Sequence, residues 1–227
     1  MNNTEFSSAQ KSELFRGLQG EVLAAVKQAA IVRHVEKTAR LLKQGDPPEH
    51  LFVVTEGRFK MTTLNEQGRQ KTLRFMGPGD AIGCAAVFRN FPYPASCTAT
   101  TNSKVLSWNG SRFNQLVELH PQLATNALAM MGGRAEEMLE RVHGVASGSA
   151  EQRIARAILK VMKQATIKED TLAISGQDLA ELSDTTPFTV SRTMSSWKKS
   201  GVIAGGRGRI TVLEPKLLFQ ISLSARR

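Results

Sequence analysis

Short apolar runs separated by glycine-containing turns, between residues 31 and 108, constrain the fold of this chain most strongly. Apolar and β-branched stretches such as LFVV at 51–54 alternate with the turn segments QGDPPEH, TEGRF, NEQGRQ and MGPGDAIG. Runs bounded by turns about every 8–12 residues are typical of antiparallel sandwiches, barrels and rolls. Turns of this kind often require a positive φ, which explains Gly45, Gly57, Gly68 and Gly79 without any ligand. The pattern predicts an antiparallel β domain.

Helical periodicity precedes and follows this region. Residues 8–30 carry apolar side chains near helical spacing, which predicts short amphipathic helices. After residue 108 a second helical pattern has apolar residues at alternating steps of three and four, as in a helix that packs on a parallel partner. These seam residues are Leu128, Met131, Ala135, Met138, Val142 and Val145. The seam predicts a homodimer; its shortness leaves open packing on its own domain, and Gly132 and Gly133 weaken the helix.

The last third of the chain predicts a helix-turn-helix. The small residues GVASGSA at 144–150 indicate a hinge, and a helix with one apolar face follows it. Ser175 is a candidate N-cap with Asp178 three residues later, and Thr186 is an N-cap followed by Pro187 at the first helical position. Gly201 is expected to close that second helix as its C-cap. The segment GVIAGGRGRITVL then predicts two strands around a glycine turn, the wing of a winged helix.

The second of these helices has two distinct faces. Val190, Met194 and Trp197 form an apolar stripe at helical spacing, so the opposite face is free to enter a major groove. Arg192 has the fork geometry for guanine or phosphate, and threonine hydroxyls at the helix start suit phosphate oxygens. The residues predicted to contact DNA are Thr185, Thr186, Phe188, Thr189, Arg192, Ser196, Lys199, and, on the wing, Arg207 and Arg209.

Charge supports an anionic partner. The 227 residues carry a formal net charge of +10, with a pI near 10.0. The last 77 residues contain 13 Lys and Arg against 7 Asp and Glu, a net +6, whereas the first 150 have a net charge of only +4. Such a bias attracts phosphate polyanions, which predicts double-stranded DNA as a partner, although a basic protein can simply be soluble.

Other function classes find no support in the sequence. No apolar run approaches the roughly 20 residues that cross a bilayer, and the polar start of the chain lacks a signal-peptide core. Two cysteines, Cys84 and Cys97, form neither a disulfide framework nor a four-thiolate metal site. No carboxylate pair, Ser/His/Asp set or metal-spaced cluster indicates an enzyme. We expect a cytoplasmic protein of bacterial type, without membrane association.

On two segments the chain resembles the Crp/Fnr superfamily of bacterial transcription regulators. They are LLKQGDPPEHLFVVTEGRFKMTTLNEQGRQKTLRFMGPGDAIG at 41–83 and ISGQDLAELSDTTPFTVSRTMSSWKKSGVI at 174–203. The resemblance implies an α+β fold: an N-terminal antiparallel β-roll of the cyclic-nucleotide-binding type (a double-stranded β-helix), a long dimerisation helix and a C-terminal winged helix-turn-helix. We expect an effector domain at 1–120, the dimerisation helix and hinge at 121–147, and a DNA-binding domain at 148–227. The resemblance also implies a homodimer that binds a two-fold symmetric operator, an effector bound in the roll, and RNA polymerase as a partner.

The effector cassette departs from this family. Members that bind cyclic AMP carry Gly-Glu and later Arg-Ser/Thr-Ala, whereas this chain reads IGCAAVFRNFPYPASCTATTN. A buried phosphate without its guanidinium leaves a charge uncompensated at a cost of about 3–5 kcal/mol, which argues against cyclic AMP. The residues expected to line an effector pocket are Gly83, Cys84, Arg89, Tyr93, Ala95 and Ser96.

Two other cofactors follow from the resemblance. The oxygen-sensing branch holds an iron–sulfur cluster with four cysteines, and a count of two excludes that cofactor. A branch thought to use haem has a similar apolar cassette, so haem stays open. Its candidate axial ligands are His34, His50, His120, His143, Cys84, Cys97 or a methionine. No motif singles out one of them.

The start of the recognition helix also departs from the family pattern. Relatives place glutamate where this chain has Phe188, and phenylalanine cannot accept a hydrogen bond from cytosine but can touch a thymine methyl. The alternative for Phe188 is packing against the preceding helix. For the whole chain, the leading prediction is a DNA-binding transcription regulator under effector control. The alternatives are a sensory module whose basic domain contacts protein, and a haem-based gas sensor.

Overall fold

The N-terminal part of the chain folds into two four-stranded antiparallel sheets. One has the strand order β1-β8-β3-β6 and the other β2-β7-β4-β5, and all pairings are antiparallel. The strands are β1 (Ile31–Val35), β2 (Arg40–Leu42), β3 (His50–Glu56), β4 (Phe59–Leu64), β5 (Gln70–Met76), β6 (Ala81–Ile82), β7 (Ser96–Ala99) and β8 (Ser103–Asn109). Together with the helices, these sheets confirm the predicted α+β class with an antiparallel roll.

The structure is a computed structural model that describes residues 3–64, 68, 70–145, 148–164, 171–206 and 208–223. The chain divides into two compact units, Met1–Glu136 and Glu137–Arg227. In the described part of the chain, no helix is long and apolar enough to span a lipid bilayer.

Strand β3 is buried on both faces along its continuous apolar run. Because successive side chains point to opposite faces of a strand, Leu51 and Val53 join one apolar cluster while Phe52 and Val54 join another. The first, the arm cluster, also holds Phe6, Phe15, Trp108, Phe113 and Leu123. The second, the roll cluster, lies between the two sheets and also holds Leu42, Phe59, Met76, Tyr93, Cys97 and Val105.

The helices of the first unit close the open face of the first sheet. They are α1 (Asn3–Ala9), a 3-10 turn (Glu13–Phe15), α2 (Gly20–Gln28), α3 (Cys84–Arg89), α4 (Gly110–Leu119) and α5 (Pro121–Val145), which runs on past Glu136. The Trp108 indole N–H donates to the Val26 carbonyl at 2.8 Å, and the Asn126 amide donates to the carbonyls of Leu14 and Arg16 at 3.1 and 2.8 Å. These bonds satisfy backbone acceptors of the helical segment at 3–28, which precedes β1. This N-terminal segment is therefore part of the domain core.

The second unit is a winged helix-turn-helix. Its elements are α6 (Ala150–Gln164), β9 (Thr171–Ala173), α7 (Gly176–Ser183), α8 (Pro187–Lys199), β10 (Ile203–Ala204), β11 (Arg209–Val212) and α9 (Pro215–Leu223). The predicted apolar face of α6 is confirmed, because Ile154, Ala157, Ile158 and Val161 are all buried. Strand β9, which the sequence did not predict, pairs with β11 and extends the hairpin to three strands in the order β10-β11-β9.

Two glycines give a matched test of the roll. Gly57 and Gly45 both have positive φ, 83° and 90°, but a Cβ on Gly57 would lie 2.7 Å from the Ser103 Cα whereas one on Gly45 would meet nothing within 4 Å. We expect Gly45→Ala to lower the free energy of unfolding by about 1–2 kcal/mol, the conformational cost alone. Gly57→Ala should lower it by roughly 1–3 kcal/mol more, since backbone must move.

Urea denaturation followed by Trp108 fluorescence, in a Trp197→Phe background and at one protein concentration, measures the difference. Equal losses in the two variants would contradict the close approach of Gly57 to β8.

Candidate nucleic-acid interface and effector cassette

Side-chain caps define both helices of the helix-turn-helix. The Ser175 hydroxyl accepts from the Asp178 backbone N–H at 3.0 Å and donates to the Asp178 carboxylate at 2.7 Å. The Thr186 hydroxyl accepts from the Thr189 N–H at 3.2 Å, and Pro187 occupies the first position of α8. Both predicted N-caps are confirmed. Each satisfies an N–H that the first helical turn leaves without a partner.

The end of α8 differs by one residue from the prediction. Ser200 is the C-cap, and Gly201 follows it with a φ of 71°. The Gly201 N–H donates to the Lys198 carbonyl at 3.2 Å, and the Val202 N–H donates to the Trp197 carbonyl at 2.9 Å. This pair of bonds is the Schellman motif, in which the left-handed residue lies one place beyond the cap. Glycine is favoured there because a Cβ disfavours positive φ.

The predicted separation of faces on α8 is present. Val190 and Trp197 are buried and Met194 is half-buried, while Arg192, Ser196 and Lys199 are exposed and Thr189 is half-exposed. The Trp197 indole N–H also donates to the Glu151 carboxylate at 2.8 Å, which ties α8 to α6. One side of the helix is therefore fixed to the domain, and the other presents cations and hydroxyls to solvent.

Phe188 does not pack against the preceding helix. Its side chain is 76% exposed, the highest value among the large apolar residues described. Burial against α7, one of the two alternatives for this residue, is therefore wrong. An exposed aromatic ring stands in the first turn of α8, beside the polar face.

The threonine hydroxyls at the start of α8 already have partners within the domain. Thr185 shares a hydrogen bond with the Ser183 hydroxyl at 2.8 Å, and Thr186 with the Thr189 hydroxyl at 3.0 Å. A phosphate oxygen only accepts, and each hydroxyl has a single O–H, so a hydroxyl that donates within the turn or cap cannot also donate to a phosphate. The cations therefore carry most of the predicted attraction for phosphate.

The turn between α7 and α8 is held by Arg153, which the sequence did not identify. Its guanidinium donates to the carbonyls of Ser183 at 3.0 Å, Asp184 at 3.3 Å and Gly148 at 3.0 Å. Asp184 has a φ of 50°, so the turn includes a left-handed residue without the freedom of glycine. In the sequence, Arg153 appears only as a cation directly before the apolar Ile154, which does not distinguish it from a solvated arginine.

On the wing, β10 and β11 pair in register from Ile203 with Val212 to Ala204 with Thr211. Arg209 is exposed at the start of β11, where the prediction needs a cation. Arg207, the other predicted wing contact, lies outside the described residues.

In the effector cassette, Tyr93 is bonded to the backbone of His50. Its hydroxyl donates to the His50 carbonyl at 2.5 Å and accepts from the His50 N–H at 3.0 Å. Burial raises the pKa of the Tyr93 phenol, although the backbone of His50 opposes that shift. Gly83 makes this approach feasible, because a Cβ there would lie 3.0 Å from the His50 carbonyl oxygen and 3.1 Å from the Tyr93 ring.

The cysteines lie in different clusters. Cys84 belongs to the arm cluster and Cys97 to the roll cluster, and both thiols are free and fully buried. Burial raises the pKa of Cys84 to about 11 and that of Cys97 to about 12. At neutral pH both thiols are therefore protonated, and a protonated thiol is a poor nucleophile and a poor metal ligand.

The other expected pocket residues differ in exposure and in their partners. Arg89 is exposed, with its guanidinium 5.8 Å above the Phe91 ring, and Ala95 is buried. Ser96 is half-buried, and its hydroxyl accepts from the Gln44 N–H at 2.9 Å. Of the six predicted residues, the structure brings Gly83 and Tyr93 into close contact.

Arg134 reaches this cassette from α5, and the sequence did not identify it. Its guanidinium donates to the Ala81 carbonyl, at the end of the sheet where α3 begins. Its positive charge partly offsets the rise in the pKa of Cys84. Helix α5 is thus bonded directly to the strand that precedes the cassette, within the first unit.

Some residues of the predicted dimer seam are exposed to solvent, and one packs against its own domain. Leu128 and Met138 are 73% and 68% exposed, and Ala135 is also exposed. Met131 is half-buried and packs against the arm cluster, so it contacts its own domain. The side chain of Val142 lies outside the described residues.

Comparison with known proteins agrees with this architecture. Residues 32–120 match the cyclic nucleotide-binding domain family, and residues 152–221 match the Crp-like helix-turn-helix domain family. The cyclic AMP receptor protein of Thermus thermophilus is 26% identical over 211 residues, which cover 93% of this chain and 97% of that protein. The fumarate nitrate reduction regulatory protein of Klebsiella oxytoca is 25% identical over 197 residues, covering 85% and 78%.

Among solved structures, FixK2 from Bradyrhizobium japonicum superposes with a TM-score of 0.77 at 20% identity, covering 87% of this chain and 99% of that one. That likeness concerns the fold. The two domains and their order define a transcription regulator with a cyclic nucleotide-binding-like domain and a DNA-binding helix-turn-helix. The chain belongs to the Crp/Fnr family of transcriptional regulators.

The three bonds of Arg153 generate a prediction for DNA binding. Arg153→Gln and Arg153→Lys should both loosen the turn, because neither side chain can donate to three carbonyls in this planar fork. We expect each variant to weaken DNA binding by about 1–3 kcal/mol, the range for lost hydrogen bonds to a charged group. Hydrogen exchange at the Thr185 N–H, which donates to the Ala180 carbonyl, should accelerate in parallel.

The lysine variant is the control for charge, since it keeps the phosphate attraction and loses the fork. If Arg153→Lys binds DNA and protects Thr185 like the unmodified protein, then Arg153 acts only as a positive charge.

Proposed function

We propose that this regulator is a homodimer that binds a two-fold symmetric operator and responds to an effector other than cyclic AMP. The observation that carries the DNA-binding part is the two-faced helix α8, anchored by Val190 and Trp197 and presenting exposed Arg192 and Lys199. A recognition helix needs both properties, because base readout requires side chains that are exposed on a backbone that does not move.

Arg192 has the central role in this proposal. It is exposed in the middle of α8 and can donate two parallel hydrogen bonds to guanine O6 and N7. Lys199 and Arg209 are exposed near the helix end and on the wing, where they suit the flanking phosphates. The regulator acts in the cytoplasm, where its DNA is, and we include RNA polymerase as its partner on grounds of family resemblance.

The homodimer rests on the exposed apolar side chains of α5. Leu128 and Met138 lie ten residues apart on one helix and are largely exposed, while Leu123, Ala127 and Met130 are buried in the arm cluster. A helix that is apolar on its solvent side as well as its core side is expected to have a second partner. A second copy of the same helix is that partner, as the steps of three and four residues indicate.

The cassette does not fit cyclic AMP. Where binders have glutamate, Cys84 is buried in the arm cluster, and Tyr93 uses its hydroxyl on the backbone of His50. Arg89 is exposed and stacked near Phe91, which supports an outward position for the cassette's own cation. The relative from Thermus thermophilus is named for cyclic AMP, so the effector is where we propose that the two proteins differ.

Nor do the two cysteines suit a haem iron as axial ligands. Both cysteines are buried with raised pKa values, and the half-buried ring of His50 lies 6.1 Å from that of Phe52. Among the described residues, no group of three or more His, Cys, Asp and Glu side chains could hold a metal ion. We propose a small effector that is neither cyclic AMP nor haem, because neither cysteine suits a haem iron and no motif singles out another ligand.

DNA binding is tested by selecting bound sequences from random duplexes and measuring affinity at several salt concentrations. Affinity should fall steeply with salt, because cations on α8 and the wing displace counterions from phosphate. Arg192→Ala should weaken operator binding by about 1–3 kcal/mol per half-site, and Arg192→Lys should keep the salt slope but lose discrimination at one base pair. A salt-independent interaction would instead favour the alternative of a basic protein-contact domain.

Dimerisation has a matched control in the same domain. Leu128 and Leu119 are equally exposed, at 73%, but Leu119 lies on α4 outside the seam. We expect Leu128→Lys to dissociate the dimer in sedimentation velocity experiments, because a charge cannot be buried in the seam without a partner. Leu119→Lys should sediment like the unmodified protein. Dissociation by both variants, or by neither, would place the interface elsewhere.

The effector proposal is tested by titration calorimetry with cyclic AMP and by the absorption spectrum after mixing with haemin. We expect no binding heat and no shifted Soret band. Micromolar binding of either compound would contradict the corresponding part of the proposal.

A further inference from the structure

The exposed ring of Phe188 lies on the face of α8 that the proposed function directs at DNA. Its side chain is 76% exposed although α8 is firmly anchored by Val190 and Trp197, so the domain itself offers no burial for it. Leaving an aromatic ring in water forgoes the roughly 1.5–3 kcal/mol that its burial would contribute. A partner that covers the ring would recover this free energy.

The neighbours of Phe188 restrict what that partner can be. Arg192 follows four residues later and is exposed, so the ring and the guanidinium lie on the same side of the helix, with Cβ atoms about 6 Å apart. The hydroxyls of Thr186 and Thr189, on the same turn, are bonded to each other. The first turn of α8 therefore offers an apolar contact next to a guanidinium, rather than a row of polar groups.

The major groove contains one apolar feature that suits this arrangement. It is the C5-methyl group of thymine, since the other groups on the base edges are hydrogen-bond donors and acceptors. Base pairs are stacked at about 3.4 Å, so a spacing of about 6 Å between the two side chains corresponds to one or two base-pair steps.

We propose that Phe188 and Arg192 together read a pyrimidine C5-methyl group and a guanine, one or two base pairs apart, in each half-site. This inference rests on the proposed function, because it requires α8 to enter the major groove. Phe188 makes no hydrogen bond to the base. It favours a base pair that carries a C5-methyl group, through apolar contact and shape alone.

The test removes one methyl group at a time from the DNA. After selection of the bound sequence, each thymine of the half-site is replaced by uracil, which lacks the C5-methyl group and keeps every hydrogen-bonding group. We expect one replacement to lower the affinity of the unmodified protein about fourfold, the effect of one buried methyl. In Phe188→Ala the same replacement should have no effect, and Phe188→Leu should retain part of it.

A further variant should change which base is selected at this position. Phe188→Glu supplies an acceptor for the cytosine amino group, so it should select cytosine where the unmodified protein selects thymine. Because Phe188 is exposed, all these variants should fold and keep the sedimentation coefficient of the unmodified protein, and the uncharged Phe188→Ala and Phe188→Leu should also keep its salt slope.

The outcomes separate this inference from the function on which it rests. If a specific sequence is bound but no thymine-to-uracil replacement changes affinity, the methyl contact is wrong and DNA recognition stands. If Phe188→Ala shows the same sensitivity as the unmodified protein, another residue reads the methyl group and the assignment to Phe188 is wrong. If no sequence is selected at all, both proposals are wrong.

Discussion

The buried ring of Trp197 fixes the orientation of α8, and every contact with DNA proposed for that helix depends on this orientation. The indole packs in the core of the second unit and its N–H donates to the carboxylate of Glu151 on α6. A charge-assisted bond is stronger than a neutral one, and this one also restricts the rotation of the helix about its own axis. Arg153, two residues after Glu151, holds the preceding turn through the carbonyls of Ser183 and Asp184. The first turn of α6 therefore contacts both the turn before α8, through Arg153, and the last part of α8, through Glu151.

Local features of this site could be read from the sequence, and long-range ones could not. The caps at Ser175 and Thr186 follow from side chains within three residues of the N–H groups they satisfy, so a short window contains the whole interaction. The bonds of Arg153 span 30 and 31 residues to Ser183 and Asp184. No pattern in a short window distinguishes such an arginine from one that is solvated.

The same distinction explains the effector cassette. The strand pattern predicted the roll, because alternation and turns are local signals, and the buried run of β3 was visible as LFVV. The positions of Cys84 and Tyr93 depend on which side of the sheet each segment covers, and the structure places them in different clusters. The contact of Tyr93 with His50 crosses 43 residues, and that of Arg134 with Ala81 crosses 53. A prediction that grouped the cassette residues by proximity in sequence could not separate them.

Symmetry would amplify a weak contact at Phe188. A methyl contact contributes only about fourfold to affinity, less than a bidentate arginine–guanine pair. In a homodimer the same residue meets both half-sites, and free-energy contributions from well-separated base pairs are roughly additive. The two contacts would then multiply to about sixteenfold, a discrimination comparable to that of one good hydrogen-bonded base contact. In the proposed homodimer, the helix that carries the exposed Leu128 would therefore double the contribution of the exposed Phe188, although the two residues lie in different domains.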